Sequence, residues 1–215
     1  VTITEKSVPA PYTIDATSMT ATIKAGETIS VTSKNTREKG QIILDKTGVE
    51  TGSDLWNDNY SLAGNTFAIR KGSPTGEIVQ EMTTDENGHA ETPKEIANAL
   101  ELGTYYVTET KASNGFVNTF EPVKVELKYA NQTVALVTSN VKGQNQEITG
   151  ETTLTKEDKD TGNETQGKAE FKGAEYTLFT AKDGQAVKWI ESFKPELVKG
   201  TKASDETVTL VLDEK

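Results

Sequence analysis

Apolar and polar residues alternate in short runs along most of this chain, and three of those runs place a polar, reactive group on the apolar side. In Gly40–Lys46 the side chains of Ile42, Leu44 and Lys46 share one face of a strand. In Tyr105–Glu109 the sharing set is Tyr105, Val107 and Glu109. In Val134–Asn140 the spacing puts Val134, Leu136, Thr138 and Asn140 together. These assignments follow from the two-residue period of a strand. A lysine, a carboxyl and a carboxamide aimed at one core must satisfy each other there, since an unpartnered buried polar group is costly.

The same period predicts strands over 41–46, 65–70, 77–83, 104–110, 121–128 and 132–140. Turn signals separate them at Lys71-Gly72-Ser73-Pro74, Asp85-Glu86-Asn87-Gly88 and Ala130-Asn131. Residues 93–100 carry a helical period about two turns long. Residues 142–146 read as a short, semi-rigid linker. Beyond it, strands are expected at 151–157, 174–180, 186–190 and 206–212. Short strands rich in Thr and Val, with a turn signal about every 8–12 residues, predict an all-β fold of immunoglobulin-like β-sandwiches.

Parts of this pattern recur. Val1-Thr2-Ile3-Thr4-Glu5 repeats the strand that ends in Glu109. Ile29, Val31, Ser33 and Asn35 repeat the strand that ends in Asn140, after a nearly equal interval. Leu154-Thr155-Lys156 repeats Leu44-Asp45-Lys46. The repeat is about 100 residues long, the size of a domain and too long for a solenoid unit. We expect a complete domain over 40–143, the C-terminal part of a like domain over 1–38, and the N-terminal part of a third over 150–215. On this reading the lysine strand that pairs with Glu5 and Asn35 precedes residue 1, and the partners of Lys156 follow residue 215.

The chain has no cysteine and a single histidine, His89, so disulfides, thiolate metal sites and multi-histidine sites are all excluded. No metal and no cofactor is expected. A net charge of −10 argues against nucleic acid as a partner. No apolar run approaches a membrane span, so no membrane insertion is expected in this segment.

The reactive triplet has a definite chemistry. A lysine amine attacks an amide carbon only when neutral, and burial lowers its pKa toward that state. Burial raises a carboxyl's pKa, so the glutamate can hold a proton, bond the carboxamide and carry protons to departing ammonia. Holding amine and carboxamide in contact makes the step unimolecular. The product is an internal Lys–Asn isopeptide bond, formed once, without turnover. The chain is therefore not expected to be an enzyme beyond this single self-modification. An unreacted hydrogen-bonded cluster, or strand-end charges facing water, is the plainer alternative.

The Gly-x-Ile-x-Leu-x-Lys frame at 40–46, Leu62-Ala63-Gly64-Asn65-Thr66-Phe67, Thr83-Thr84-Asp85-Glu86-Asn87-Gly88, Leu102–Ala112 and a closing strand that ends in asparagine together resemble the Cna B-type (SpaA-like) domain. The resemblance covers 40–143 and extends to Glu5, Asn35, Lys156 and Phe171–Leu178. It implies a cross-link between Lys46 and Asn140 assisted by Glu109, with Glu5, Asn35 and Lys156 as the corresponding groups of the flanking repeats. It also implies a structural stalk segment of a Gram-positive surface protein, extracellular and anchored to the cell wall, whose partners are neighbouring domains of the same chain. Two other roles stay open: an adhesin module that binds a host extracellular-matrix protein, and a sortase-polymerised pilin subunit. Ala112-Ser113-Asn114-Gly115-Phe116 departs from the family's Ala-Pro-x-Gly-Tyr, and Glu5 is followed by Lys6–Tyr12 instead, both in the loop beyond the reacting groups.

The remaining polar features have plain readings. His89 follows Asn87-Gly88 in a solvated turn. Asp45 and Asp85 lie in no calcium-loop pattern. The acidic stretch Glu157–Asn163 reads as a hairpin turn. Trp56 is expected to pack a loop onto the sandwich edge, and Trp189 is the other candidate ligand platform.

Overall fold

The computed structural model describes residues 1–55, 57–162, 164–189, 201–203 and 208–211. It is all-β, with no helix among the described residues. The strands in chain order are β1 (Thr2–Ile3), β2 (Tyr12–Thr13), β3 (Met19–Thr20), β4 (Thr36–Arg37), β5 (Lys39–Gly48), β6 (Thr66–Lys71), β7 (Ile78–Thr83), β8 (His89–Glu91), β9 (Leu100–Glu101), β10 (Gly103–Lys111), β11 (Phe116–Val117), β12 (Val123–Leu127), β13 (Leu136–Glu147), β14 (Glu175–Leu178), β15 (Thr180–Lys182), β16 (Gln185–Val187), β17 (Thr201–Ala203) and β18 (Val208–Val211).

The central part is a sandwich of two sheets. One has the order β12-β10-β6-β7; the other has the order β11-β13-β5-β8, with β9 also pairing β5. Between them lies a core of Ile42, Leu44, Phe67, Ile69, Met82, Ala90, Leu100, Tyr105, Val107, Val125, Leu127 and Val141. These are the inward positions of an alternating pattern, which a two-sheet sandwich buries on one side of each strand. Leu127 fills the space beside Gly40, where a Cβ would come within 2.4 Å of its Cδ1. The two central strands β5 and β13 run parallel, paired from Leu136 with Lys39 through Asn145 with Gly48.

Three expectations are corrected by this fold. Residues 142–146 are not a linker: β13 continues through them to Glu147. Their polar composition suggested exposed chain, yet Gly143 and Asn145 face inward. Residues 93–100 form turns rather than a helix, closed by Asn98 and Ala99 N–H groups donating to the Glu95 carbonyl. A two-turn helix is marginal by itself, and here Ala99 and Leu100 are drawn into the core. Residues 151–157 form no strand.

The first segment carries two small pairings, β1 with β3 and β2 with β4. Ile29 and Val31 are exposed, so the expected apolar face over 28–35 is not buried. This segment docks onto the central sandwich at Gln132, through its backbone carbonyl and its side chain. Ile14 N–H donates to the Gln132 carbonyl at 2.8 Å, and Glu38 N–H to the Pro11 carbonyl at 2.8 Å. Val8 N–H donates to Gln132 Oε1 at 3.2 Å. The last segment holds β14-β18-β17 and the β15–β16 hairpin. Asp158 caps a turn there by accepting from the Asp160 and Thr161 N–H groups. Trp56 and Asn163 lie outside the described residues, as do 190–200, 204–207 and 212–215, which include parts of the expected strands 186–190 and 206–212.

Candidate functional site

Lys46 sits on β5 as the alternation predicts: Ile42, Leu44 and Lys46 all point inward, and Lys46 is only 1% exposed. Its Nζ has no hydrogen-bond partner. The side chain passes over Gly143, the residue opposite it on β13. A Cβ on Gly143 would lie 3.4 Å from Lys46 Cδ and 2.4 Å from Phe120 Cε2. Glycine thus leaves the channel in which the lysine stem lies beneath the Phe120 ring, with Nζ 5.6 Å from the ring centroid. Phe120 is itself braced edge-on by Phe67, centroids 5.2 Å apart. Burial pushes the Lys46 amine down from its ordinary value to about 8, against the opposing charges of Glu109 and Glu147.

Glu109 comes from the facing sheet, near the end of β10 and next to a bulge in its pairing with β6. Burial pushes its carboxyl up; the hydrogen bond from Asn145 and the charge of Lys46 pull the other way. Its two oxygens accept from Asn145 Nδ2 at 2.8 and 2.9 Å. Asn145 Oδ1 accepts from Thr119 N–H at 3.2 Å. The carboxamide is therefore held at both ends: a backbone N–H on its oxygen, a carboxyl on its nitrogen.

The asparagine at this site is Asn145, not Asn140. Asn140 is exposed on the outer face of β13, and the inward set is Val137, Ser139, Val141, Gly143, Asn145 and Glu147. Val134-Ala135-Leu136-Val137 has apolar residues on both faces, so its own alternation does not choose between them. A one-residue change of phase reverses every side chain. The two intervals are also unequal. Glu5 and Asn35 are separated by 30 positions, Glu109 and Asn145 by 36, because the connection before the last strand varies in length. Reading the other phase, through Val137, Ser139, Val141 and Gly143, reaches Asn145. Thr119, Phe120 and Glu147 carried no such signal, since their roles depend on contacts across the sandwich.

In the first segment Glu5 and Asn35 do meet. Asn35 Nδ2 donates to Glu5 Oε2 at 2.6 Å and to the Thr13 carbonyl at 3.0 Å, and Asp15 N–H donates to the same glutamate oxygen at 2.7 Å. Lys156 is half-buried outside any strand; the Asp158 carboxyl is lowered first by the Asp160 and Thr161 N–H groups and, to a lesser extent, by the Lys156 charge. His89 does not sit in the expected solvated turn: it opens β8, half-buried, and pairs with Asp45 across from it on β5, Nδ1 to Oδ1 at 2.8 Å. Trp189 donates its indole N–H to the Leu178 carbonyl at 3.1 Å.

Residues 40–142 match the family model SpaA, described as a prealbumin-like fold domain. No curated protein sequence matches the chain. Among solved structures it is similar to the Bacillus anthracis TIE protein, at 23% identity and TM-score 0.51, over 98% of this chain and 34% of that one. The chain thus spans about a third of that protein's length. It is also similar to BcpA, the major pilin subunit of Bacillus cereus, at 28% identity and TM-score 0.35, over 49% of this chain and 29% of that one. A third similarity is to the Corynebacterium diphtheriae major pilin SpaA, at 20% identity and TM-score 0.36, over 53% and 31% of the two chains.

Proposed function

We propose that the chain, whose residues 40–142 match the SpaA prealbumin-like domain model, is a structural segment of a Gram-positive surface protein whose central sandwich is closed by a Lys46–Asn145 isopeptide bond. The observation that carries this reading is a buried lysine amine without a partner, beneath Phe120, on the strand adjacent to a carboxamide that a half-buried glutamate holds. In the reaction, neutral Lys46 Nζ adds to Asn145 Cγ. The Thr119 N–H stabilises the negative charge that develops on Oδ1. The C–Nδ2 bond breaks, and Glu109 passes a proton from the attacking nitrogen to Nδ2, so that one ammonia leaves and one amide replaces another. The Asn145–Glu109 contact places the glutamate on the leaving nitrogen, which supports the relay role over simple polarisation of the carbonyl.

A bond between the first and last strands of the sandwich constrains the unfolded chain as a disulfide does, a contribution of several kcal/mol for a loop of about 100 residues. Such a segment resists pulling and proteolysis, the demands on an extracellular stalk. The Glu5–Asn35 pair belongs on this reading to a second site of the same kind, and Lys156 to a third, in tandem domains.

Intact mass tests the proposal. The chain should weigh one ammonia less than its sequence, and a tryptic peptide should join the segments that contain Lys46 and Asn145. Asn145→Ala should restore the full mass, whereas Asn140→Ala should cross-link like the parent. A parent chain of unmodified mass would sink the cross-link while leaving the fold intact.

A further inference from the structure

The turn after β5 folds back onto the end of β13 and grips it at two residues. Val49 N–H donates to the Asn145 carbonyl at 3.0 Å. Two positions on, Glu147 points inward on the same face as Asn145 and is 3% exposed. Its Oε1 accepts from Thr51 Oγ1 at 2.8 Å, Thr51 N–H at 2.9 Å and Glu50 N–H at 3.1 Å. Gly48, opposite Asn145, closes the turn with a Gly48 N–H to Gly52 carbonyl bond of 2.9 Å. No larger residue fits there: a Cβ on Gly48 would lie 2.1 Å from Thr51 Oγ1 and 2.2 Å from Glu147 Oε1. The packing is built around this carboxylate.

We propose that Glu147 is a positioning residue for the cross-link: by gathering the 49–51 turn onto its carboxylate, it fixes the end of β13 in register against β5 and so holds the Asn145 carboxamide where Lys46 can reach it. This rests on the Lys46–Asn145 reading above. β11 pairs with the end of β13 at Gln146 and Glu147, while the Glu147 carboxylate, with Val49 N–H on the Asn145 carbonyl, ties that end to the turn after β5. Beyond Glu147 the chain is held through the Ile148 N–H to Gly115 carbonyl bond. Glu147 also acts by charge. The carboxylates facing Lys46 are Glu109 from β10 and Glu147 from β13, and both favour the ammonium form. Removing the Glu147 charge should therefore make the amine neutral at lower pH.

The test uses the full chain, solubilised unreacted in denaturant and refolded by dilution at a series of pH values, with ammonia loss followed by mass. Glu147→Ala should fold by circular dichroism yet cross-link roughly tenfold to a hundredfold more slowly, as a misplaced reacting pair does. Glu147→Gln keeps an acceptor for Thr51 but loses the charge. It should recover most of the rate, with its rate–pH profile moved toward lower pH. Thr51→Val should slow the reaction by less than Glu147→Ala. If Glu147→Ala fails to fold, Glu147→Gln decides: a profile identical to the parent's overturns the proposal. So does a folded Glu147→Ala that reacts at the parent rate. A parent chain that never loses ammonia overturns the cross-link itself, an outcome separable from either of these.

Discussion

Lys46 and Glu109 show how one environment can drive two groups toward neutrality together. Both are desolvated, so the amine falls to about 8 while the carboxyl rises. Each supplies the opposite charge that partly restrains the other. Glu109→Ala keeps both reactants but removes the proton relay, so it should fold and retain its ammonia. Its unreacted lysine then becomes a pH-dependent liability. The folded-state value lies below the unfolded value of 10.5, so between the two the unfolded chain binds more protons. Removing the Glu109 charge lowers the folded amine further, so stability of this variant should rise with pH across a window that begins below the parent's value of about 8 and ends near 10.5. Melting temperatures across that window check this; a flat profile would contradict a desolvated Lys46.

The β5–β13 pair decides what the bond can do mechanically. The strands are parallel, and both reacting residues lie toward their C-terminal ends. With the proposed bond formed, force that enters at Lys39 would run along β5 to Lys46, cross to Asn145 and leave through Glu147, so residues 47–144 would bear none of it. Single-molecule pulling on the parent should release no contour from these residues. Glu109→Ala should release them, at roughly 3.3–3.6 Å each. Gly143 is the element's narrow point. Gly143→Ala drives a methyl into the Phe120 ring, so it should cost about 1–3 kcal/mol of stability, measurable by denaturant unfolding of the uncross-linked Glu109→Ala background. It should also slow ammonia loss in the parent background by lifting the ring from the lysine.

Across the whole molecule, the contacts between the first segment and the central sandwich include Gln132, Glu38 and the Arg37–Glu101 ion pair. Gln132 uses its side chain on Val8 and its backbone on Ile14. Glu38 is 1% exposed and accepts from Ala130 N–H at 2.9 Å. Joined in this way, cross-linked sandwiches would transmit force as a jointed rod with few loose hinges. Gln132→Ala should remove amide-exchange protection at Val8 and leave it at Ile14, whose acceptor is backbone. Loss at both positions would mean that the side chain organises the junction as a whole.

Strand identity, the sandwich class and the inward places of Lys46 and Glu109 were legible in the sequence, because each is a local consequence of two-residue alternation beside unambiguous neighbours such as Ile42, Leu44, Tyr105 and Val107. The same rule failed at the last strand. Apolar residues on both faces left its phase open there, and polar residues 142–146 looked like linker. Tertiary structure decided the phase: β13 is long because β5 offers it ten partners, and its inward face is the one that carries Val141 into the core. That choice alone substitutes Asn145 for Asn140. Thr119 on the carboxamide oxygen, Phe120 above the lysine and Glu147 in the turn were equally invisible. Each is distant in sequence from the group it touches, and only the closing of two sheets brings them together.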